Sequence, residues 1–318
     1  MTRGCVSRAA PLVAAALCVA LSPQLLRAQV EFPARARAAL HVFPERVGAQ
    51  ATADRAFGLR QLLDAHAAPR AAGDHIEHFI LYTVATPKGF DTMGVTRTVT
   101  PFGTAFEKLR GARRGSVGGH ALYAHRNGAA GRLALVGRRE IAEGSEEALR
   151  IGLQAQASGG RTKARRDLER SLRRLEDPGG AATLIYLAPP EGANLVQIVD
   201  DLGAIWGPYL ASAIEPYQSV LGLLGSMQAA RADVWQEDAN LGVRIVLVTP
   251  DAGAAKRSHL ALRTARGLAP MASKAAVRAG SMTQEDAEIL AAVLQGLDSQ
   301  VENNRILVTL SVPGSIVP

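Results

Sequence analysis

Asp74-His75-Ile76-Glu77-His78-Phe79-Ile80-Leu81-Tyr82-Thr83 marks the place where the chain changes character. Upstream, residues 29–73 are rich in alanine and arginine, and one helix is expected over about 52–65. Thr52 can cap it, and Phe57, Leu59, Leu62 and Leu63 recur at helical spacing. Residues 69–73 then read as a turn or linker. From His75 onward apolar, β-branched and aromatic residues run together, which is the pattern of a buried strand. A second strand is expected over 94–99, a helix over 101–109, and a flexible basic loop over 111–119.

The alternation continues downstream. Strands over 120–126 and 132–136 flank the turn Asn127-Gly128, although the second begins later than a two-residue hairpin would have it. A further short strand leads to Ser145, which with Glu146 and Glu147 opens a helix reaching about residue 156. Serine caps the first turn and the acids complement its positive end. Residues 161–175 are strongly charged, yet Leu168, Leu172 and Leu175 recur at helical spacing, so a helix docks on that seam. Asp177-Pro178-Gly179-Gly180 ends it, and 181–187 reads as a buried strand. Residues 194–227 form an apolar helical stretch that Gly207-Pro208 and Glu215-Pro216 should break or kink. Strands over 232–236, 241–248 and 305–312 and helices over 251–266 and 283–298 complete the chain, with Thr283 and Asp286 resembling a capping box.

The expected fold class is therefore α+β, with antiparallel strands in one or more sheets covered on one face by helices. Val99-Thr100-Pro101 and Val248-Thr249-Pro250 each end a strand before a helix, where proline suits the first turn. Either two junctions found one solution independently, or the chain holds two similar α+β halves, over 74–178 and 179–318, behind an N-terminal helical segment at 29–73.

The N-terminus has the order of a secretory signal peptide over 1–28. Arg3 and Arg8 precede an apolar core at 9–21, and Leu26-Arg27-Ala28 precede a cut at Gln29. The core falls short of the roughly 20 apolar residues of a spanning helix. The mature protein is expected to be periplasmic or extracellular, with no transmembrane anchor after cleavage. Both cysteines, Cys5 and Cys18, leave with the signal, which excludes disulfides, cysteine nucleophiles and thiolate metal sites. The remaining residues, about 290, suffice for an ordinary hydrophobic core. Cleavage also removes three positive charges from a formal net of +7, and aromatic residues make up only 4%. Neither that balance nor any motif suits a nucleic-acid binder.

No constellation forms a clear catalytic, cofactor or metal site. Asp74, His75 and His78 come closest, one residue short of an inverted zinc-protease pattern. That pattern needs both histidines on one helical face, whereas positions three apart on a strand point to opposite sides. His120 and His125 diverge for the same reason. Ser116 has Arg114 where a nucleophile elbow requires glycine. Asp200 and Asp201 are adjacent on a helix and face about 100° apart.

Two surface features remain. Arg165, Arg166, Arg170, Arg173 and Arg174 offer contact with an anionic surface, while the interleaved Asp167, Glu169 and Glu176 favour a solvated outer face. Leu195, Leu202, Trp206, Tyr209 and Tyr217 offer a groove for a hydrophobic ligand or an envelope partner, against the plainer reading that they pack on the sheet.

Gly131-Arg132-Leu133-Ala134-Leu135-Val136-Gly137 and Gly144-Ser145-Glu146-Glu147-Ala148-Leu149-Arg150 resemble an element recurring in uncharacterised exported bacterial envelope proteins. Residues 251–262, then Val301-Glu302-Asn303-Asn304-Arg305 and the final strand, are similar to the close of those proteins, so the likeness covers about 74–313. The resemblance implies an envelope or extracellular α+β domain of unknown function, with no catalytic residues to carry over. Three functions follow as expectations. The first is a non-catalytic exported binding or interaction protein. The second is a hydrolase-like or metal-dependent enzyme built around Asp74, His75 and His78. The third is a peripheral envelope component attached through residues 161–174.

Overall fold

The computed structural model describes residues 36–157, 163–175, 177–194, 197–198, 201, 225–280, 283–284, 287–288, 291 and 296–316. The expected signal peptide and most of the apolar stretch at 194–227 lie outside these residues, as does much of the expected helix over 283–298.

Twelve strands form one antiparallel sheet. They are β1 (Ala36–Val42), β2 (Ile76–Thr86), β3 (Gly89–Thr98), β4 (Arg110–Val117), β5 (His120–His125), β6 (Arg132–Gly137), β7 (Glu140–Gly144), β8 (Ala182–Leu187), β9 (Ala229–Glu237), β10 (Asn240–Val248), β11 (Leu297–Glu302) and β12 (Arg305–Pro313). Their spatial order is β11-β12-β10-β9-β8-β1-β2-β3-β7-β6-β5-β4. The α+β antiparallel class expected from the sequence is the fold observed.

The centre of the sheet is a strand the sequence does not announce. β1, Ala-Arg-Ala-Ala-Leu-His-Val, reads by propensity as helix, yet it pairs with β2 on one side and β8 on the other. Its alanines and Leu40 are buried, so small side chains here serve close packing on both faces. β2 and β8 flank it as nearly continuous apolar runs, the signature of strands covered twice.

Helices α1 (Pro44–Ala49), α2 (Ala51–Phe57), α3 (Leu59–Ala65) and α4 (Ala67–Ala72) follow β1. The single helix expected over 52–65 is two, because Gly58 takes the left-handed conformation at φ 58° and its N–H closes the first helix on the Asp54 carbonyl. The linker expected at 69–73 is the end of α4 and a 3-10 turn. The flexible loop expected at 111–119 is the edge strand β4, whose register against β5 shifts twice. Such irregularity, with Arg113 and Arg114 exposed, is a common way to keep an open edge from pairing with another chain.

Further helices are α5 (Gly103–Leu109), α6 (Glu146–Ala157), α7 (Lys163–Arg173) and α8 (Ala252–Arg278). The cover is two-sided, where the sequence led us to expect one face. Val47, Ala53, Leu59 and Leu63 of α1 to α3 and Ala255 of α8 join Leu40, Phe79, Leu81, Tyr186, Val243 and Val308 on one face. Leu149 and Leu153 of α6 and Leu172 of α7 join Ile80, Tyr82, Met93 and Ile185 on the other. α6 fits closely, since a Cβ on Gly152 would stand 2.4 Å from the Met93 sulfur.

Ser145 begins α6 as expected. Its Oγ accepts from the Ala148 N–H at 3.0 Å and donates to Asp91 across the sheet. Ser145→Ala should cost about 1 kcal/mol in urea unfolding, the usual loss for a serine cap. Loss below a few tenths would mean that Asp91 or water replaces the cap.

The two Val-Thr-Pro segments are not equivalent in the structure, but the two strand ends share a hydrogen-bond set displaced from that match. Thr249 N–H donates to the Asn304 carbonyl, and its hydroxyl reaches the Asp251 and Asn304 carbonyls. The same set is made by Thr98, not Thr100: its N–H donates to the Arg139 carbonyl and its hydroxyl reaches the Thr100 and Arg139 carbonyls. Both acceptors, Arg139 and Asn304, stand in the turn before the strand paired to the junction. β1-β2-β3-β7-β6 and β8-β9-β10-β12-β11 also run outward from the centre in one order.

Candidate functional site

Two places concentrate groups that a bare core would not contain. The first lies between the sheet and α7. Cross-strand register aligns His41, Thr183, Asp233 and Arg244 in one row on the face that α7 covers. Arg231, two residues from Asp233 and so on the same face, is 0% exposed. Its Nε and Nη2 donate to Asp233 Oδ1 at 3.1 and 3.0 Å, and its Nη1 donates to the Leu172 and Leu175 carbonyls at 2.7 and 3.1 Å. A buried guanidinium thus satisfies carbonyls at the C-terminal end of α7, where a positive charge also suits the helix dipole. Arg244 pairs with the other Asp233 oxygen. Burial nevertheless pushes the Asp233 carboxyl upward, against both arginines.

His41 and His78 meet on the same face, with His41 Nδ1 3.0 Å from His78 Nε2 and the rings stacked. The Phe43 ring also stacks on His78, its centroid 4.5 Å away. Burial, reinforced by Arg173 and Arg97, pushes His78 down to about 3. His41 is lowered as well, first by burial, then by His78, Arg173 and Arg231. Both rings are therefore neutral near pH 7, and both are buried, His41 1% and His78 2% exposed.

The second place is the outer face of α8. Asp251 caps this 27-residue helix, its carboxylate accepting from the Ala254 N–H, and the helix continues past the expected end at 266 and through Pro270. Ala255, Ser258 and Ser273 face the protein. The opposite face carries Leu260, Leu268 and Met271, which are 65%, 55% and 71% exposed. With Thr264 they follow the 3-4 spacing of one helical stripe, and the Thr264 hydroxyl turns back to the Leu260 carbonyl. Lys256, Arg263 and Lys274 line one side of that stripe, all exposed. The helix contains six lysines and arginines and no acidic residue.

A third polar contact is structural. Glu143 of β7 lies 3.0 Å from His66 Nδ1 and accepts from the Ala67 and Ala68 N–H groups at the start of α4. His125 nearby is lowered by burial.

The residues singled out from the sequence fall differently. His75 is exposed in the turn before β2 while His78 is buried against His41, so the two rings share no site. Among the described residues no three histidine, cysteine or acidic side chains gather as metal ligands. Of the five arginines expected to form a basic surface, four on α7 and Arg174 just past its end, Arg166, Arg170 and Arg174 face outward, and Arg170 pairs with Asp167. Arg165 instead reaches in to the Ala36 carbonyl, and Arg173 pairs with the buried Glu169, so the expected basic surface of α7 is only partly formed. Leu195, Leu202, Trp206, Tyr209 and Tyr217 lie outside the described residues. Among the described residues no helix is long and apolar enough to cross a membrane.

Sequence reasoning missed His41, Arg231 and Asp233 because each is isolated in its local pattern. For Arg231 and Asp233 a signal existed: like-facing charges inside a strand bounded by alanine and valine need a buried partner. The stripe of α8 was hidden by ending the helix at 266, before Leu268 and Met271.

No family model matches the chain, and no curated protein does. Solved structures of TP0453 are similar to it at low level. Crystal form I matches with a TM-score of 0.44 and 9% identity, covering 89% of this chain and 91% of that one. Crystal form IV matches with a TM-score of 0.44 and 10% identity, covering 95% and 96%. Crystal form III gives 0.43 and 8%, covering 90% and 93%.

Proposed function

We propose that this is an exported, non-catalytic binding protein of the periplasm or cell envelope that rests on an anionic lipid surface through α8. The observation that carries the proposal is the outward stripe of Leu260, Leu268 and Met271 on a helix with six cations and no acid. Large apolar side chains lose roughly 1.5–3 kcal/mol each when fully exposed rather than buried. Each lysine or arginine near an anionic membrane gains about 1 kcal/mol. A partner of this chemistry therefore matches both halves of the stripe, whereas water matches only the cations. An interfacial helix of this type lies flat, its apolar side in the headgroup region, and needs no spanning segment.

α7 is the poorer surface, since two of its arginines are engaged inward and its leucines are packed on the sheet.

Co-sedimentation with vesicles tests the proposal. Binding to phosphatidylglycerol-containing vesicles should exceed binding to phosphatidylcholine vesicles by at least tenfold and weaken with salt. Leu268→Glu with Met271→Glu should lower it at least tenfold, and so should Lys256→Gln with Arg263→Gln and Lys274→Gln. Arg166→Gln with Arg174→Gln should leave it within about twofold. Binding indifferent to lipid charge and to the α8 changes would sink the proposal.

A further inference from the structure

We propose that the His41–His78 pair is an acid-operated latch for α7, whose double protonation expels the helix from the sheet while the strands remain paired. The geometry carries this. A 3.0 Å Nδ1 to Nε2 contact needs a proton on one nitrogen and a lone pair on the other, so two imidazolium rings cannot keep it. The second ring nitrogen of His41 is buried without a hydrogen-bond partner among the described residues, and the Thr183 hydroxyl opposite is in the same state.

The surroundings decide which element gives way. α7 presents Arg173, with Glu169 as its partner. β9 presents Arg231 with Asp233, and β10 adds Arg244 to the same carboxylate. β3 presents Arg97, held by Glu77 of β2 and Glu140 of β7. Beside Phe43, Arg46 stacks on that ring and pairs with Asp177. Among the described residues, each of these carboxylates already faces an arginine, and a new positive charge meets like charges. His41 sits in a strand paired on both sides, with Ile80 of β2 and Thr183 of β8, and His78 pairs with Arg97 of β3 beside a register shift. α7 is an eleven-residue helix held by its leucines, Arg165 and Arg231, so it is the element that can leave.

The sign is fixed by the direction of the shifts. Both rings are lowered from an ordinary value of 6.5, His78 to about 3. The docked form therefore binds fewer protons than a form with free rings, and it loses ground as pH falls from about 6.5 toward 3. Asp233 and Glu140, both pushed upward by burial, oppose this, so the histidines must be tested directly.

Hydrogen–deuterium exchange of the full protein between pH 7.5 and 4.5, corrected for intrinsic rates, supplies the test. Peptides covering α7 should gain at least tenfold in exchange, and peptides from β10 and β12 less than threefold. His41→Gln and His78→Gln, which keep one hydrogen bond without titrating, should each hold the α7 gain below threefold. Should neither variant fold, histidine ring NMR of the wild-type chain decides: two of its seven histidines should titrate together at the midpoint of α7 release. The latch is overturned if α7 and the sheet lose protection together, if α7 stays protected at pH 4.5, if the glutamine variants respond like wild type, or if no ring pair titrates at the midpoint.

Discussion

Arg231→Met should destabilise the protein by roughly 3–5 kcal/mol, the usual range when one partner of a buried ion pair is removed. The methionine keeps most of the packing of the arginine stem. It removes both bonds to Asp233 and the bonds to the Leu172 and Leu175 carbonyls at and just past the end of α7. Asp233, which is fully buried, is left with Arg244 alone. Urea unfolding should show the midpoint falling with an unchanged slope, because the surface exposed on unfolding stays nearly the same. Adding Asp233→Leu should recover part of the loss, since the buried charge is then gone and only the helix carbonyls stay unpaired. A single variant that costs less than 1 kcal/mol, or a double variant worse than the sum of its parts, would show that the ion pair does not hold α7 as described.

Arg231 also illustrates what could be read from the sequence. Strands flanked by turns, such as β2, β8 and β12, were legible because their apolar runs exceed what any exposed element would carry. The capped start of α6 was legible because Ser145 and two acids form a local signal. β1 was not, because alanine and arginine favour helix and only pairing on both sides makes such a segment a strand. Gly58 and Pro270 act against their usual reading in opposite directions. The glycine ended a helix inside an unbroken apolar stripe, and the proline failed to end one. Tertiary packing decides both, and no local pattern records it. The same holds for the polar row over the sheet. His41 and His78 are 37 residues apart, and Arg231 lies 59 residues from the Leu172 carbonyl it holds. The outer stripe of α8 is the exception, a local pattern that only needed the right helix length.

Glu143→Ala should cost roughly 3 kcal/mol, since it leaves two partly or fully buried N–H groups unpaired at about 1–3 kcal/mol each. α4 starts without any side-chain cap from its own neighbourhood, and the Glu143 carboxylate, projecting from β7, takes that place. Its negative charge also faces the positive end of the helix, although α4 is only six residues long and that gain is small. Gly94 shows how tightly the carboxylate is led there: a Cβ would stand 3.0 Å from the Phe79 ring and 3.4 Å from the Glu143 Cγ. Glu143→Gln separates the two contributions. Its amide oxygen can still accept from Ala67 or Ala68, while the negative charge 3.0 Å from the His66 ring is lost, so the cost should fall to about 1 kcal/mol. Equilibrium unfolding of both variants, with exchange of the Ala67 and Ala68 amides, measures this. If glutamine costs as much as alanine, the pairing with His66 is the larger contribution and the cap the smaller. If alanine exposes those amides without lowering global stability, α4 opens independently of the sheet. The unit that Glu143 holds would then be the helix alone.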